Sequence, residues 1–185
     1  SWEILSPYSS FFLRIDALSA FFLLIIFVLS ALSALYATEY LLPYSNAHKL
    51  GPPRFFFNIF VAMMALVVAA NNGVLFLIAW EIMAVSSMFG VTFEHEKKEV
   101  RSAGLIYLIA THLGTIVLFV MFWLLAQDAG NSMDFDSFAR FSSSCPGIIF
   151  VLAMVGFGTK SGFVPFHVWL PEAHPVAPSH LHSLL

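Results

Sequence analysis

The chain has 185 residues, of which 59% are hydrophobic and 10% charged, and its formal net charge at pH 7 is -3. Its mean hydropathy of +0.86 lies far above the values of soluble proteins. This composition excludes a soluble domain, and the scattered basic residues exclude a nucleic-acid-binding surface. A single cysteine, Cys145, excludes an internal disulfide and a cysteine-rich metal or iron–sulfur site. The sequence therefore predicts an all-α, polytopic transmembrane helix bundle.

Apolar stretches long enough to cross a bilayer, which takes about 20 residues, follow one another along the chain. A loop with three prolines and a glycine follows the first stretch. The turn sequence Asn71-Asn72-Gly73 then divides a longer apolar run into two antiparallel spans. The predicted spans are 17–37, 55–71, 74–93, 102–127, a discontinuous span 147–171, and the start of a further helix at 178–185.

Both ends of the sequence favour a fragment of a longer membrane protein, in which residues 1–185 form a single transmembrane domain. The chain has no initiator methionine and no signal-peptide pattern at its beginning. It stops in SHLHSLL, which is typical of the beginning of another helix.

The orientation in the membrane is predicted by the positions of lysine and arginine in the short loops. Alternating spans place five basic residues on one side and two, Arg14 and Arg140, on the other. The five are Lys49, Arg54, Lys97, Lys98 and Arg101. Because short cytoplasmic loops are enriched in basic residues, we expect loops 40–54 and 94–101 on the cytoplasmic side, or in the matrix of an organelle.

Lys160 is the only residue with a formal charge between positions 141 and 171, where aliphatic, aromatic and small residues predominate. A lysine at membrane depth is costly unless it faces a bundle interior or a wet cavity, so its presence indicates a functional site. Residues that interrupt helices surround it: Gly156, Gly158, Gly162 and Pro165. Such interruptions free backbone groups that lipid cannot satisfy, which predicts a broken helix lined by protein or water.

Two further titratable residues fall at a similar depth on preceding spans. At about 1.5 Å per residue, Glu81 and Lys160 lie roughly 12 and 20 Å from the same predicted membrane face, and His112 roughly 21 Å. Burial favours the neutral forms of a carboxylic acid and a lysine, whereas proximity of the two favours both charges. We therefore predict that opening and closing a Glu81–Lys160 pair moves a proton off and onto the lysine. His112, as a histidine that ordinarily titrates at about pH 6.5, is the candidate relay.

A purely structural interpretation of these residues stays open. Glu81 and Lys160 could each serve only as a hydrogen-bonding anchor. His112 could be a neutral histidine bonded to a neighbouring helix. Tyr107, Thr111 and Thr115 extend a polar stripe from His112 at helical spacing, and such stripes also pack helices together.

Four histidines follow Lys160 closely and are possible relay residues: His167, His174, His180 and His182. The prolines among them prevent a continuous helix, and no spacing resembles the HExxH metal motif. We therefore expect no bound metal and no haem or other cofactor in this chain. Trp169, in the same segment, is expected to be an anchor at the membrane interface.

Two segments resemble a known family: AWEIMAVSSMF around Glu81, and GFGTKSGFVPFHVWLPEAHPVAPSH around Lys160. They are similar to the antiporter-like proton-channel subunits of respiratory complex I, of multisubunit cation/proton antiporters and of energy-converting hydrogenases. The ending PEAHPVAPSH is most similar to the hydrogenase branch, such as hydrogenase-4 component B or formate hydrogenlyase subunit 3. The resemblance runs from about Asp16 to Leu185 and implies a larger inverted-repeat antiporter-like fold whose second half carries another lysine.

The resemblance also implies roles for individual residues. Glu81 matches the carboxylate of the family's fifth transmembrane helix, Lys160 matches the lysine of its broken seventh helix, and His112 lies on the sixth. His180 and His182 fall at the start of the eighth helix, where some members carry a relay residue.

The implied function is proton translocation by a membrane subunit of a redox-driven complex, of the NADH:quinone oxidoreductase or group 4 hydrogenase type. No redox cofactor would reside in this chain, so whether the chain counts as part of an enzyme depends on its complex. The implied partners are other membrane subunits, a peripheral redox arm, the lipid bilayer and protons, with no nucleic acid. The implied location is the inner (plasma) membrane of a prokaryote.

Two other functions remain possible at this point. The chain could belong to a Na⁺/H⁺ antiporter subunit that uses the same residues without redox partners. It could also be a membrane scaffold, in which Glu81 and Lys160 would affect assembly only.

Overall fold

The computed structural model describes residues 12–40, 51–93, 96–178, 181 and 184. In these ranges the chain forms α-helices and two isolated β-bridges, and contains no β-strand. The helices are α1 (Ala17–Tyr40), α2 (Gly51–Ala69), α3 (Gly73–Val91), α4 (Lys98–Asp128), α5 (Phe135–Phe138), α6 (Pro146–Ser161) and α7 (Leu170–Ala173). The all-α prediction is confirmed.

Four of these helices, α1 to α4, are long and apolar enough to cross a membrane, and α6 is a shorter apolar helix. The chain is therefore a multi-pass membrane protein. The predicted discontinuous span 147–171 corresponds to α6, an irregular segment and α7. The predicted helix start at 178–185 falls largely outside the described residues, so that part of the division into spans stays a prediction.

Helix α4 holds the central position in the bundle. It packs against α3 on one side and α6 on another, and α7 and α5 also contact it. The remaining helices extend this arrangement, since α2 packs on α3 and α1 on α2. Residues of α4 take part in two buried apolar clusters. One lies around Tyr107 and Trp169, and the other around Leu118 and Phe122.

Loops hold together the end of the bundle at which α1 begins, α2 ends and α3 begins. The backbone N–H of Arg14 donates to Ala69 O at 2.8 Å, and that of Asn71 donates to Phe12 O at 3.0 Å. The loop after α4 joins them, because the N–H of Phe135 donates to Asn71 O at 3.1 Å. Asp16 accepts a hydrogen bond from Ser19 N at 2.7 Å, which lowers the pKa of its carboxyl group and caps the start of α1.

Asn72 fixes the beginning of α3 and explains the turn predicted there. Its side-chain oxygen accepts hydrogen bonds from the N–H groups of Val74 and Leu75, at 2.9 and 3.4 Å. Its side-chain nitrogen donates to Asp134 Oδ1 at 2.8 Å, and the residue is 0% exposed. One buried amide therefore satisfies orphan donors of α3 and ties the turn to the loop after α4.

Glycines allow α4 and α6 to cross at close range. A Cβ atom on Gly156 would lie 2.5 Å from Leu118 Cδ2, and one on Gly114 would lie 3.3 Å from Gly156 O. In lipid, the hydrophobic effect does not drive helices together. Small residues at a crossing let the backbones approach closely, and the resulting van der Waals packing stabilises the helix pair. The crossing sets the position of α6, and with it the position of Lys160 near its end.

We predict that Gly156→Ala lowers the melting temperature of the full-length protein in detergent. The new methyl group would meet the fully buried Leu118, and overpacking of this kind costs roughly 1–3 kcal/mol. The control is Gly147→Ala on the same helix, where a Cβ meets nothing within 4 Å and alanine favours the helix. Equal melting temperatures for the two variants would contradict the close crossing.

Candidate functional site

Lys160 lies in the last turn of α6, immediately before the predicted break. The helix ends at Gly162, whose φ of 69° and ψ of 29° are left-handed and therefore favour glycine. The N–H of Gly162 donates to Gly158 O at 3.0 Å and closes the final turn. The chain then runs without regular helix to α7, so the lysine lies at a helix end inside the bundle, half-buried.

The ammonium group of Lys160 donates a hydrogen bond to the hydroxyl of Tyr107 on α4, with an Nζ–Oη distance of 2.6 Å. Nζ also lies 5.1 Å from the centroid of the tyrosine ring. The two distances together place Nζ beyond the hydroxyl and not over the ring face, so the contact is a hydrogen bond and not a cation–π interaction.

Tyr107 is 0% exposed and passes the contact on to α3. Its hydroxyl lies 2.6 Å from Ser87 Oγ, and Ser87 Oγ donates to Ala84 O at 2.8 Å. A serine hydroxyl has a single hydrogen, so the hydrogen between the two hydroxyls belongs to Tyr107. The lone pairs of the phenol oxygen therefore face Lys160.

Glu81 on α3 and His112 on α4 form a second contact. Glu81 Oε2 lies 3.2 Å from His112 Nε2, with 30% of the glutamate side chain and 46% of the histidine side chain exposed. His112 Nδ1 lies 3.0 Å from Leu108 O. A carbonyl oxygen can only accept, so Nδ1 carries a hydrogen and Nε2 is the nitrogen that faces the carboxyl group.

A favourable contact between these two groups involves one shared proton. If Glu81 were ionised and His112 neutral, a lone pair of Nε2 would face a carboxylate oxygen and the contact would be repulsive. One proton between the two atoms, on either side, makes it a hydrogen bond. Glu81 Oε1 is buried and has no hydrogen-bond partner among the described residues, which leaves it able to accept a further hydrogen bond.

The structure separates Glu81 from Lys160. In the described part of the chain, no nitrogen–oxygen contact of 4.0 Å or less joins them, and each has a different partner. Large side chains of the two helices meet nearby, because the rings of Trp80 and Phe157 lie 5.8 Å apart, centroid to centroid. The structure does not form the predicted Glu81–Lys160 pair, and its opening and closing stay a prediction.

Trp169 is buried in the bundle and therefore lacks the exposed surface predicted for an interfacial anchor. It is 2% exposed, and its ring meets that of Tyr107 edge to face at a centroid distance of 5.0 Å. Its indole N–H donates to Thr159 O at 2.7 Å. Because α6 ends at Ser161, this carbonyl has no partner within the helix, and the tryptophan supplies one.

The sequence reasoning missed Tyr107 and Ser87 as members of the site. The sequence indicates Tyr107 only as part of a polar stripe on α4 and gives no separate signal for Ser87. The available signal was chemical: a buried tyrosine hydroxyl needs a hydrogen-bond partner, and a membrane lysine needs an acceptor. What no sequence pattern supplied was the rotation of α4 that points Tyr107, and not His112, toward Lys160.

The candidate relay histidines are not gathered into this site by the described contacts. His167 is exposed and His174 is half-buried, whereas His180 and His182 lie outside the described residues. Over ranges 12–40, 51–93 and 96–178, no group of three or more His, Cys, Asp or Glu side chains could hold a metal ion. The absence of a cofactor stays a prediction.

Comparison with known proteins assigns the chain to a family. Residues 70–185 match the family model for the transmembrane part of NADH:quinone oxidoreductase and Mrp antiporters, and residues 6–56 match the N-terminal region of chain 5 of complex I. The chain belongs to the NADH:quinone oxidoreductase/Mrp antiporter family. The resemblance drawn from the motifs around Glu81 and Lys160 is confirmed.

Individual members of the antiporter family match almost the whole chain. Hydrogenase-4 component B of Escherichia coli is 39% identical over 178 residues, which are 94% of this chain and 26% of that protein. An uncharacterized protein of Mycobacterium tuberculosis is 40% identical over 185 residues, 98% of this chain and 28% of that protein. The Na(+)/H(+) antiporter subunit A1 of Staphylococcus haemolyticus is 34% identical over 183 residues, 94% of this chain and 22% of that protein. The chain thus spans about a quarter of the length of these relatives.

We predict that Trp169→Phe lowers the stability of this antiporter-family protein. Phenylalanine preserves an aromatic ring against Tyr107 but leaves Thr159 O buried without its donor, which costs roughly 1–3 kcal/mol. The melting temperature of the full-length protein in detergent measures the effect. Trp123→Phe on the exposed side of α4 is the control and should have no comparable effect. A Trp169→Phe protein as stable as this control would show that the hydrogen bond does not hold the break in place.

Proposed function

We propose that this chain is part of a proton-translocating membrane subunit of a redox-driven complex, of the NADH:quinone oxidoreductase or group 4 hydrogenase type. The observation that carries the proposal is the pair of separate contacts around Lys160 and Glu81. Lys160 Nζ donates to a tyrosine hydroxyl, and Glu81 Oε2 lies 3.2 Å from His112 Nε2, a distance at which the two groups can share one proton. Each group thus has a position away from the other, as a site that repeatedly takes up and releases protons needs.

Lys160 changes its charge as its surroundings change. Beside an ionised Glu81 the ammonium form is stabilised, by roughly 4 kcal/mol for unit charges about 4 Å apart at an effective dielectric constant of about 20. Beside Tyr107 alone it has a hydrogen bond but no counter-charge. In this position the lysine lacks the counter-charge that stabilises its ammonium form.

The Glu81–His112 contact supplies the other half of the cycle. When the shared proton leaves through His112, Glu81 becomes an anion with no partner and is drawn toward the ammonium of Lys160. When a proton returns between Nε2 and Oε2, Glu81 binds His112 again and Lys160 loses its counter-charge. Lys160 then gives up its Nζ proton. In this scheme His112 transfers a proton to Glu81 and removes it again.

The proposed partners are other membrane subunits and a peripheral redox arm that holds the redox cofactors, with none in this chain. Support comes from the similarity to hydrogenase-4 component B. The lipid bilayer surrounds the apolar outer faces of α1 and α4. The proposed location is the plasma membrane of a prokaryote, with loops 40–54 and 94–101 on the cytoplasmic side as their basic residues favour.

The route of protons beyond Lys160 is proposed to use histidines of the segment after the break. His167 and His174 are the nearest of these in sequence, and His180 and His182 follow in the segment matched to the family model. Their support is their position in the chain and their chemistry, since histidine exchanges protons near neutral pH.

A Na⁺/H⁺ antiporter subunit is the second candidate function. One observation favours it. The Na(+)/H(+) antiporter subunit A1 of Staphylococcus haemolyticus and hydrogenase-4 component B each match 94% of this chain. The same glutamate and lysine would then exchange protons without redox partners. Proton transport by the purified complex distinguishes the two, since the redox-driven form requires an electron donor and the antiporter requires a Na⁺ gradient.

We predict that Lys160→Ala and Glu81→Gln each reduce proton translocation by the intact complex to background while electron transfer continues. Loss of a positioned proton-transfer group typically costs about 100-fold or more in rate. The measurement is the proton gradient in proteoliposomes, normalised to the electron-transfer rate.

Glu99→Gln and Lys98→Ala are the controls, because both residues are exposed in the first turn of α4 and away from the site. Both should pump normally. Full proton gradients in Lys160→Ala and Glu81→Gln at a full electron-transfer rate would refute the proposed function. Loss of assembly without any loss of pumping per assembled complex would favour a scaffold.

A further inference from the structure

Tyr107 is the hydrogen-bond acceptor of Lys160, and its other contacts fix the position of its hydroxyl. Tyr107 is fully buried on α4, and its ring packs against Trp169. Its hydroxyl oxygen accepts a hydrogen bond from Lys160 Nζ at 2.6 Å. Trp169 in turn is bonded to the carbonyl of Thr159, the residue before Lys160. The phenol and the lysine are therefore held in one frame that spans the end of α6.

Ser87 determines the direction of the hydrogen bonds. Its one hydrogen goes to Ala84 O at 2.8 Å, so the hydrogen of Tyr107 must point to Ser87 Oγ at 2.6 Å. The phenol oxygen is left as an acceptor toward Lys160. The row of donors runs from the ammonium to Tyr107, to Ser87, and ends on a backbone carbonyl.

A row that ends on a carbonyl does not conduct protons. An amide oxygen cannot hold a proton at physiological pH and pass it on, so Tyr107 and Ser87 offer no exit from Lys160. What they offer is an acceptor of fixed orientation without charge. An ammonium on such an acceptor is held in place, whereas an ammonium on Glu81 would be fixed by an ion pair that favours both charges.

We propose that Tyr107, oriented by Ser87, is a positioning residue that holds Lys160 Nζ apart from Glu81 while the lysine releases its proton. The proposal rests on the proposed function and adds a second partner to it. Lys160 leaves Tyr107 when Glu81 becomes an unpartnered anion, and returns to Tyr107 when Glu81 binds His112. Without the phenol hydroxyl, the lysine has no acceptor to return to and stays with Glu81.

The test is Tyr107→Phe in the intact complex, read as protons moved per electron pair and normalised to assembled complex. A hydrogen bond to a charged group shifts an equilibrium by about tenfold or more, so removal of the hydroxyl should depopulate the separated state by that factor. We expect assembly near the wild-type level, because the ring against Trp169 is kept, and a clearly lower proton-to-electron ratio. A role in packing alone would change the amount of complex but not this ratio.

Ser87→Ala and Ser86→Ala are the matched pair that makes the test independent of how Tyr107→Phe folds. Both serines are buried on α3 and both donate to a carbonyl three residues earlier, but of the two only Ser87 has a described hydrogen bond to Tyr107. We expect Ser87→Ala to lower the ratio, Ser86→Ala to leave it unchanged, and Ser87→Ala combined with Tyr107→Phe to be no worse than Tyr107→Phe. An unchanged ratio in Ser87→Ala, or an equal fall in Ser86→Ala, would overturn the proposal.

The outcome separates this inference from the proposed function. If Lys160→Ala abolishes pumping while Tyr107→Phe keeps the wild-type ratio, Lys160 handles protons but Tyr107 does not position it. If Lys160→Ala leaves pumping intact, the proposed function fails and the positioning role fails with it. Tyr36→Phe, at an exposed tyrosine of α1, is the control for loss of a phenol hydroxyl elsewhere and should behave as the wild type.

Discussion

The hydrogen bond from Lys160 to Tyr107 is the contact on which the rest of the structure depends. A charged amine within a membrane bundle needs an acceptor, and here it comes from the neighbouring helix at 2.6 Å. The acceptor reaches the lysine because α4 and α6 cross closely at Gly114 and Gly156. The pairing of these two helices is thus both a packing feature and the means by which the charge is accommodated.

The break after α6 is stabilised by a buried side chain that also contacts the lysine's partner. An interrupted membrane helix leaves carbonyl groups that lipid cannot satisfy. The indole N–H of Trp169 satisfies that of Thr159, and the same tryptophan packs against Tyr107. Backbone satisfaction and lysine placement therefore share one buried side chain. The cost of breaking the helix is offset by the segment that the break creates.

The sequence was sufficient for the helical membrane fold, the break near Lys160 and the family, because apolar span length, glycine and proline positions, and a specific motif are local signals. It could not supply partners. Periodicity placed Glu81, His112 and Lys160 at similar depths, but depth leaves the rotation of each helix undetermined. The rotation of the helices determines that Glu81 contacts His112 and that Lys160 contacts Tyr107. Trp169 was predicted wrongly because interfacial tryptophans are common, whereas this one has a carbonyl to satisfy.

The central claim is that Lys160 alternates between Tyr107 and Glu81. Structures of the intact complex determined by electron cryo-microscopy, at rest and during turnover, test it most directly through two distances from Lys160 Nζ. We expect Nζ at hydrogen-bonding distance from the Tyr107 hydroxyl at rest, with Glu81 on His112, and a turnover population with Nζ on Glu81. A lysine that keeps the same partner in both conditions would contradict the account.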